Sequence, residues 1–531
     1  MDLGQPGPAG VVERSRPYLL EQLFDHGADP HDLGRLLDHI GQRFGGVALG
    51  ALLLGRLPAG VGRARRGARG QHQRTALGTD HDNGIRCVIR LRHGPHHVVF
   101  APNALKPVVV ARVADPGPGL PEYGPCLKVT CMTYDVARVR GLIPSLADGW
   151  INLAPQAGML VPDSVSRAVS IGFRSSSFSH LGRHGAAKRS ADMLHDARVA
   201  VADLVGADPS GVVLGPDRAV LLAWLAESLS SRLGLGTGIV LSRLDDEANV
   251  APWLRIANRY GAHVRWAEVE IETCEMPAWQ FEELIGPTAR LVALTAASPI
   301  VGSAPSVRVA AERVHEVGGL LVADAVGAAP YALLDIEDLN ADVVALSAPS
   351  WGGPQVGALV FRDPAFLDRI PSMALNPYAK GPERLEVGGH QYALLAGLTT
   401  SIDYLAGLDE RARGTRRERL EMSITSLQDY HDQLFDHLMS TLEKIGGLTV
   451  IGRASTRIPT VSFTIDGMQA EKIAAELADK RITVLAGSHG GSRLLDALGV
   501  NDEGGAVTIG LAPYTTRREI DQFGRALAAL G

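Results

Sequence analysis

The stretch from Gly319 to Phe361 reads GLLVADAVGAAPYALLDIEDLNADVVALSAPSWGGPQVGALVF and constrains the fold more than any other. Leu320 to Ala323 is a compact apolar run closed by Asp324. A second run, Asp342 to Leu346, is closed by Ser347-Ala348-Pro349-Ser350, and Val356 to Phe361 is a third. Short runs without polar alternation need cover on both faces, which a parallel sheet between helices provides. In such sheets ligands sit beyond the carboxyl ends of the strands. Asp324 and the Ser347–Ser350 loop are therefore expected to face one crevice.

The rest of the core repeats this order. Lys188–Val205 has helical spacing and stops at Gly206-Ala207-Asp208-Pro209. Strands are expected at Gly211–Leu214, Ile239–Ser242, His263–Val269 and Leu291–Thr295, with helices at Arg218–Arg232, Glu247–Tyr260 and Val307–Val317 between or after them. Alternating strands and helices predict a three-layer α/β/α domain with a mainly parallel sheet. Long helical stretches follow at Gln391–Leu408 and Arg416–Ile445. Strands at Thr460–Ile465 and Ala506–Gly510, with helices at Ala470–Lys480 and Arg517–Leu530, predict a smaller C-terminal α+β domain. The expected divisions are an arm at 132–160, a large domain at 161–408 and a long helix with the small domain at 409–531.

Residues 1–131 read differently. Gly, Pro, Arg and His are abundant and apolar periodicity is weak, so the segment is expected to be an irregular extension. Arg63, Arg65, Arg66, Arg69 and Arg74 fit a solvated linker better than a nucleic-acid arm, because no aromatic residues interleave with them. His93, His96 and His97 lack partner cysteines and i, i+4 spacing for a metal. Met132 is expected to be the true start, since organisation begins there abruptly.

Composition narrows the class. A net charge of −6 gives no reason to expect a nucleic-acid or membrane surface. No run approaches the roughly 20 apolar residues of a membrane helix, and no signal peptide is recognisable. Cys87, Cys126, Cys131 and Cys274 form neither a disulfide framework nor a metal spacing. The expected compartment is the reducing cytoplasm.

Ser347-Ala348-Pro349-Ser350-Trp351-Gly352-Gly353-Pro354-Gln355-Val356-Gly357, with Asp324 upstream, resembles the S-x-x-K-x-x-G-P-x-x-G frame of class V aminotransferases. Leu244-Asp245-Asp246-Glu247-Ala248-Asn249-Val250-Ala251-Pro252-Trp253 is similar to their L-D-H-E-A-N-V-A-P-W. The nearest branch is cysteine-desulfurase-like. The resemblance spans Met132 to the end and implies fold type I, pyridoxal phosphate as cofactor, an amino-acid substrate and a homodimer in which the Gly388-Gly389 segment reaches across.

It also implies a role for each position, and most residues depart from it. Asp324 matches the acid that pairs with the pyridinium nitrogen; read from residues alone, it either awaits a cationic ligand or accepts hydrogen bonds from its own turn. Ser350 stands where the imine-forming lysine belongs, and a hydroxyl forms no imine. Asp246 replaces the histidine that stacks on the ring. In the phosphate cup Ala219 and Val220 have no hydroxyl, Asp217 repels a dianion, and Arg218 is the one compensating cation; Ser347 is the hydroxyl retained, and Gly389 replaces the threonine of E-x-G-T. Pro299 replaces an asparagine and Pro349 a histidine. The loop Val484–Arg493 has no cysteine nucleophile, with Leu485 where arginine is expected and Arg493 as the fallback carboxylate binder.

Three functions follow. The first is a degenerate homologue that keeps the fold and binds a ligand or partner in the old crevice. The second is an active pyridoxal-phosphate enzyme with unusual anchoring, for which Lys380 is the nearest candidate amine. The third, placed last, is a hydrolase using Ser350.

Overall fold

The computed structural model describes residues 134–530 except 489, together with four strands between 76 and 113. Those strands, β1 (Ala76–Thr79), β2 (Ile85–Leu91), β3 (Gly94–Val99) and β4 (Val110–Val113), pair antiparallel in chain order. They belong to a unit of their own. The Arg63–Arg74 cluster, His93 and Met132 lie outside the described residues, as does most of the segment read as irregular; His96 and His97 fall within β3.

In the second unit a short helix (Val136–Gly141) and a 3-10 turn (Pro144–Asp148) precede a short strand, β5 (Ile151–Asn152). A seven-stranded sheet follows from β6 (Val212–Gly215), β7 (Gly238–Ser242), β8 (His263–Ala267), β9 (Ala289–Thr295), β10 (Leu320–Asp324), β11 (Val343–Ser347) and β12 (Gly357–Phe361). Their spatial order is β6-β12-β11-β10-β9-β7-β8. All pair parallel except β12, which runs antiparallel to both β11 and β6. Only residues 348–356 separate β11 from β12, too few for the crossover of a dozen or more residues that a parallel return needs.

Burial explains the apolar strands. Successive residues alternate between two cores: Val212, Val240, Val292, Leu321 and Val344 enter one, while Val213, Ile239, Leu291, Val322 and Val343 enter the other. With both faces covered, period-two polarity has no reason to exist.

The helices of ten or more residues are α1 (Asp163–Ser175), α2 (Gly185–Val205), α3 (Arg218–Leu229), α4 (Glu247–Tyr260), α5 (Val307–Glu316), α6 (Tyr392–Ala406), α7 (Arg416–Leu442), α8 (Ala470–Asp479) and α9 (Arg517–Ala528). Local chemistry sets several boundaries. Asp217 and Asp246 cap α3 and α4 through their side chains, and Gly261 ends α4 at a φ of 76°. Thr415 and Thr516 begin α7 and α9 with complete capping boxes. The α1 helix, absent from the reading of the sequence, packs on α6 and leaves Ile171 and Phe173 exposed.

The C-terminal portion holds a second sheet, from β13 (Leu448–Ile451), β14 (Thr460–Ile465), β16 (Leu485–Gly487) and β17 (Ala506–Gly510), antiparallel in the order β13-β14-β17-β16. Between β14 and β16, β15 (Ile482–Thr483) leaves that sheet and pairs parallel with β5. The arm is held there further: the Tyr134 hydroxyl donates to the Pro513 carbonyl at 2.7 Å, and Arg140 pairs with Glu519 at 2.9 Å.

One glycine links sheet and site. At Gly357, where β12 begins, a Cβ would overlap the backbone of Asp217 and Arg218. Backbone has little room to yield, so Gly357→Ala is expected to cost about 1–3 kcal/mol as an overpacking change. Urea unfolding of the purified variant checks this.

Candidate functional site

Parallel strands place their carboxyl ends along one edge, and five ends supply the site. Asp324 closes β10, Asp245 and Asp246 follow β7, Thr295 closes β9, Ser350 follows β11, and Asp217 with Arg218 follow β6. Asp324 is 2% exposed. Its Oδ1 accepts from the Val326 backbone N–H at 3.1 Å, and its Oδ2 takes a short ion pair from Arg218. The other guanidinium nitrogen of Arg218 reaches Asp246 Oδ2 at 2.7 Å. Asp246 Oδ1 accepts from Ala248 N at 2.9 Å, capping α4.

Asp324 accepts from its own turn, and it has a cation, which is Arg218. The Arg218 guanidinium is engaged by Asp324 and Asp246. The start of α3 is occupied by Asp217, whose Oδ1 takes the Ala219 N–H at 2.7 Å and whose Oδ2 takes the Gln355 amide at 2.6 Å. Ala219 and Val220 lie inside the first turn, and Val220 is partly exposed.

Electrostatics follow from burial. Burial pushes the Asp324 carboxyl up to about 6; Arg218 opposes this and Asp246 adds to it. Burial also pulls the Arg218 guanidinium down, but Asp324 and Asp246 more than offset it and hold it above its usual range. Behind the cluster, burial raises Asp245 well above an ordinary carboxyl; its oxygens take the Asn249 amide at 2.6 Å and the Thr295 N–H at 2.9 Å.

The Ser350 Oγ donates to the Ser347 carbonyl at 2.9 Å, closing its own 3-10 turn. No histidine hydrogen-bonds it among the described residues, so the hydrolase reading finds no base. The five lysines of the described residues, Lys188, Lys380, Lys444, Lys472 and Lys480, are all exposed. Lys380 sits on the surface before a 3-10 turn. Arg493 is spent on Glu247 at 2.8 Å. Cys274 is buried, its thiol pushed up to about 11 by that burial. Gly389 borders a cavity with Gly215, Pro216, Gln355, Glu386 and His390; the reading of the sequence did not single out Glu386 or His390 as site residues.

Removing Arg218 strands a buried carboxylate. Arg218→Ala is expected to lose about 3–5 kcal/mol of stability, and adding Asp324→Asn should recover most of it, as read by urea unfolding. The pH dependence carries a sign. Asp324 titrates near 6 when folded and near 4 when unfolded, so the folded state holds the extra proton in that window. Its contribution therefore falls as pH rises from about 4 to 6. Unfolding free energies of wild type minus those of Asp324→Asn should decline across that range.

Comparison with known proteins agrees with this architecture. The family model described as Aminotransferase class-V matches residues 151–523. An uncharacterised protein of Mycobacterium tuberculosis is 56% identical over 400 residues, covering 75% of this chain and 100% of that protein. A probable cysteine desulfurase of Mycolicibacterium paratuberculosis is 26% identical over 421 residues, covering 74% of this chain and 58% of that protein. The crystal structure of the cysteine desulfurase CsdA from Escherichia coli superposes with a TM-score of 0.66 at 24% identity, covering 75% of this chain and 98% of that one. With a mainly parallel sheet, an acid ending β10 and a family match across most of the second unit, this chain belongs to the class V aminotransferases.

Proposed function

We propose that this chain is a cysteine-desulfurase-like member of its family that has abandoned imine chemistry, and that it acts as a homodimeric ligand-binding protein. The observation that carries this reading is Arg218 held between Asp324 and Asp246. Asp324 is the acid that would meet a pyridinium nitrogen, and it already has a buried cation. A second cation brought to the same carboxylate would meet Arg218 at close range in a medium that screens charge poorly.

The other positions point the same way. Pyridoxal phosphate needs a primary amine, a free helix start for its phosphate and a flat group for its ring. Ser350 offers a hydroxyl bonded to its own turn, Asp217 fills the start of α3, and Asp246 offers a carboxylate engaged with Arg218. These residues do not fit the cofactor. The alternative, an active enzyme anchored through Lys380, requires an exposed surface lysine to enter the crevice. A small amino-acid ligand remains compatible with a crevice whose acids and arginine are already arranged in pairs.

The homodimer rests on the family and on an apolar surface. Phe173 is 65%, Phe178 101% and Leu181 82% exposed around the end of α1, more than a monomer's surface ordinarily leaves together. Among the described residues no helix is long and apolar enough to cross a membrane.

Two experiments test the reading. Purified protein mixed with pyridoxal phosphate should develop no aldimine absorbance, should carry no reduced adduct on any lysine after borohydride, and should release no sulfide from L-cysteine. An adduct at Lys380 would overturn the proposal. Ser350→Lys alone should stay colourless because Arg218 still covers Asp324, whereas Ser350→Lys with Arg218→Ala should gain the absorbance. For assembly, light scattering should give twice the chain mass, and Phe173→Asp with Phe178→Asp should shift it toward the monomer.

A further inference from the structure

We infer that His431 is an acid-sensitive clamp on the N-terminal arm: a neutral imidazole keeps the arm docked, and a proton on the ring releases it. The clamp closes on the loop between β17 and α9. Four successive carbonyls of that loop accept from side chains of other elements. Ala512 accepts from His431 Nε2 at 3.1 Å, Pro513 from the Tyr134 hydroxyl at 2.7 Å, Tyr514 from Arg140 at 2.6 Å and Thr515 from the Tyr430 hydroxyl at 2.7 Å. Tyr430 and His431 belong to α7, whereas Tyr134 and Arg140 belong to the arm.

The same loop holds the far end of the arm. The Tyr514 hydroxyl accepts from the Leu160 N–H at 3.1 Å, and the neighbouring Met159 N–H donates to the Pro349 carbonyl at 2.9 Å, one residue before Ser350. Tyr134 also stacks on Tyr430, with ring centroids 5.0 Å apart. The arm is thus fastened near both ends to one loop, and that loop is fastened to α7 through Tyr430 and His431. A change at the α7 contact reaches the arm through hydrogen bonds already present.

Among these side chains His431 is the one whose ordinary titration falls in mildly acid solution. It is 3% exposed, and its ring centroid lies 5.8 Å from that of Tyr331 and 6.0 Å from that of Tyr430. Burial pulls the imidazole down to about 4; the Ala512 carbonyl and Asp432 on the same helix favour the charged form without offsetting it. Tyr331, from the segment after β10, and Tyr430 stay neutral in acid, since burial holds both phenols above their usual range. Glu519 of α9 is paired with Arg140 at 2.9 Å. Opening the loop returns His431 to water, where it titrates near 6.5. Between about 6.5 and 4 the opened form therefore binds the proton and the docked form does not, so docking weakens as pH falls through that window. From pH 7 to 4.5 the opening equilibrium gains roughly fiftyfold. The sign is opposite to that of Asp324, and the clamp does not depend on what the crevice binds.

Amide hydrogen exchange of the full chain, read by mass spectrometry and corrected for the intrinsic pH dependence of exchange, reports the arm directly. Peptides within 134–160 are expected to open at least tenfold more at pH 4.5 than at pH 7, while those of β10 do not change. His431→Gln keeps a donor for the Ala512 carbonyl and has no titrating ring, so its arm should lose the acid response. Exchange at the C2 carbon of the histidine rings follows the protonation of each ring, and it should show His431 titrating at about 4 in the wild type. An arm that stays docked at pH 4.5, an acid response that survives in His431→Gln, opening of β10 together with the arm, or a His431 ring that titrates near 6.5 would each overturn the proposal. The ring measurement needs no variant, so it decides the matter even if His431→Gln fails to fold.

Discussion

Two carboxylates and one guanidinium at the carboxyl edge of the sheet govern how the crevice behaves. Asp324 is nearly sealed from solvent, and a lone carboxylate there would be costly by several kcal/mol. Arg218 relieves that cost from the start of α3, after β6, although β12 and β11 stand between β6 and β10 in the sheet, and Gly357 lets β12 lie close against the backbone of Asp217 and Arg218. The pair is thus a consequence of sheet topology as much as of residue choice. Once formed, it leaves the acid without an unmet charge, and that is the main physical difference between this crevice and one prepared for a cationic ring.

Neighbouring residues reinforce the same arrangement. Asp217 and Asp246 each do two things: one oxygen caps a helix, and the other meets a side chain from a different strand end. A carboxylate at a helix start is stabilised by the free N–H groups there. It also removes those groups from use by a phosphate. The carboxylates at these positions are thus engaged within the chain, and the Ser350 hydroxyl is turned back onto the Ser347 carbonyl.

Much of this was readable in the chain. Strand ends were placed within a residue or two because apolar runs end abruptly at Asp324, Ser347 and Gly215. Glu247–Tyr260 was read with the boundaries seen, since Asp246 and Gly261 are strong start and stop signals. Ser350 falls in an otherwise intact frame, so its position was also legible. The antiparallel course of β12 was less visible, since strand direction leaves no mark on composition. The α1 helix was missed although its apolar residues recur at helical spacing; part of that apolar face, Ile171 and Phe173, is exposed in the fold.

Arg218 shows where such reading ends. Sequence alone marked it as the one cation beside the stretch that matches the family's phosphate cup, but a side chain of that length can reach in several directions. Its choice of Asp324 and Asp246 depends on three strand ends, 106 and 28 residues away along the chain, meeting at one edge. The same holds for Arg198 and Glu386, which pair across 188 residues of chain. Apolar runs, caps and motif frames are short-range features and are written into adjacent residues, so the chain alone determined the class of fold. Which charges neutralise each other is decided by distance in space, and only the packed sheet brings those charges together.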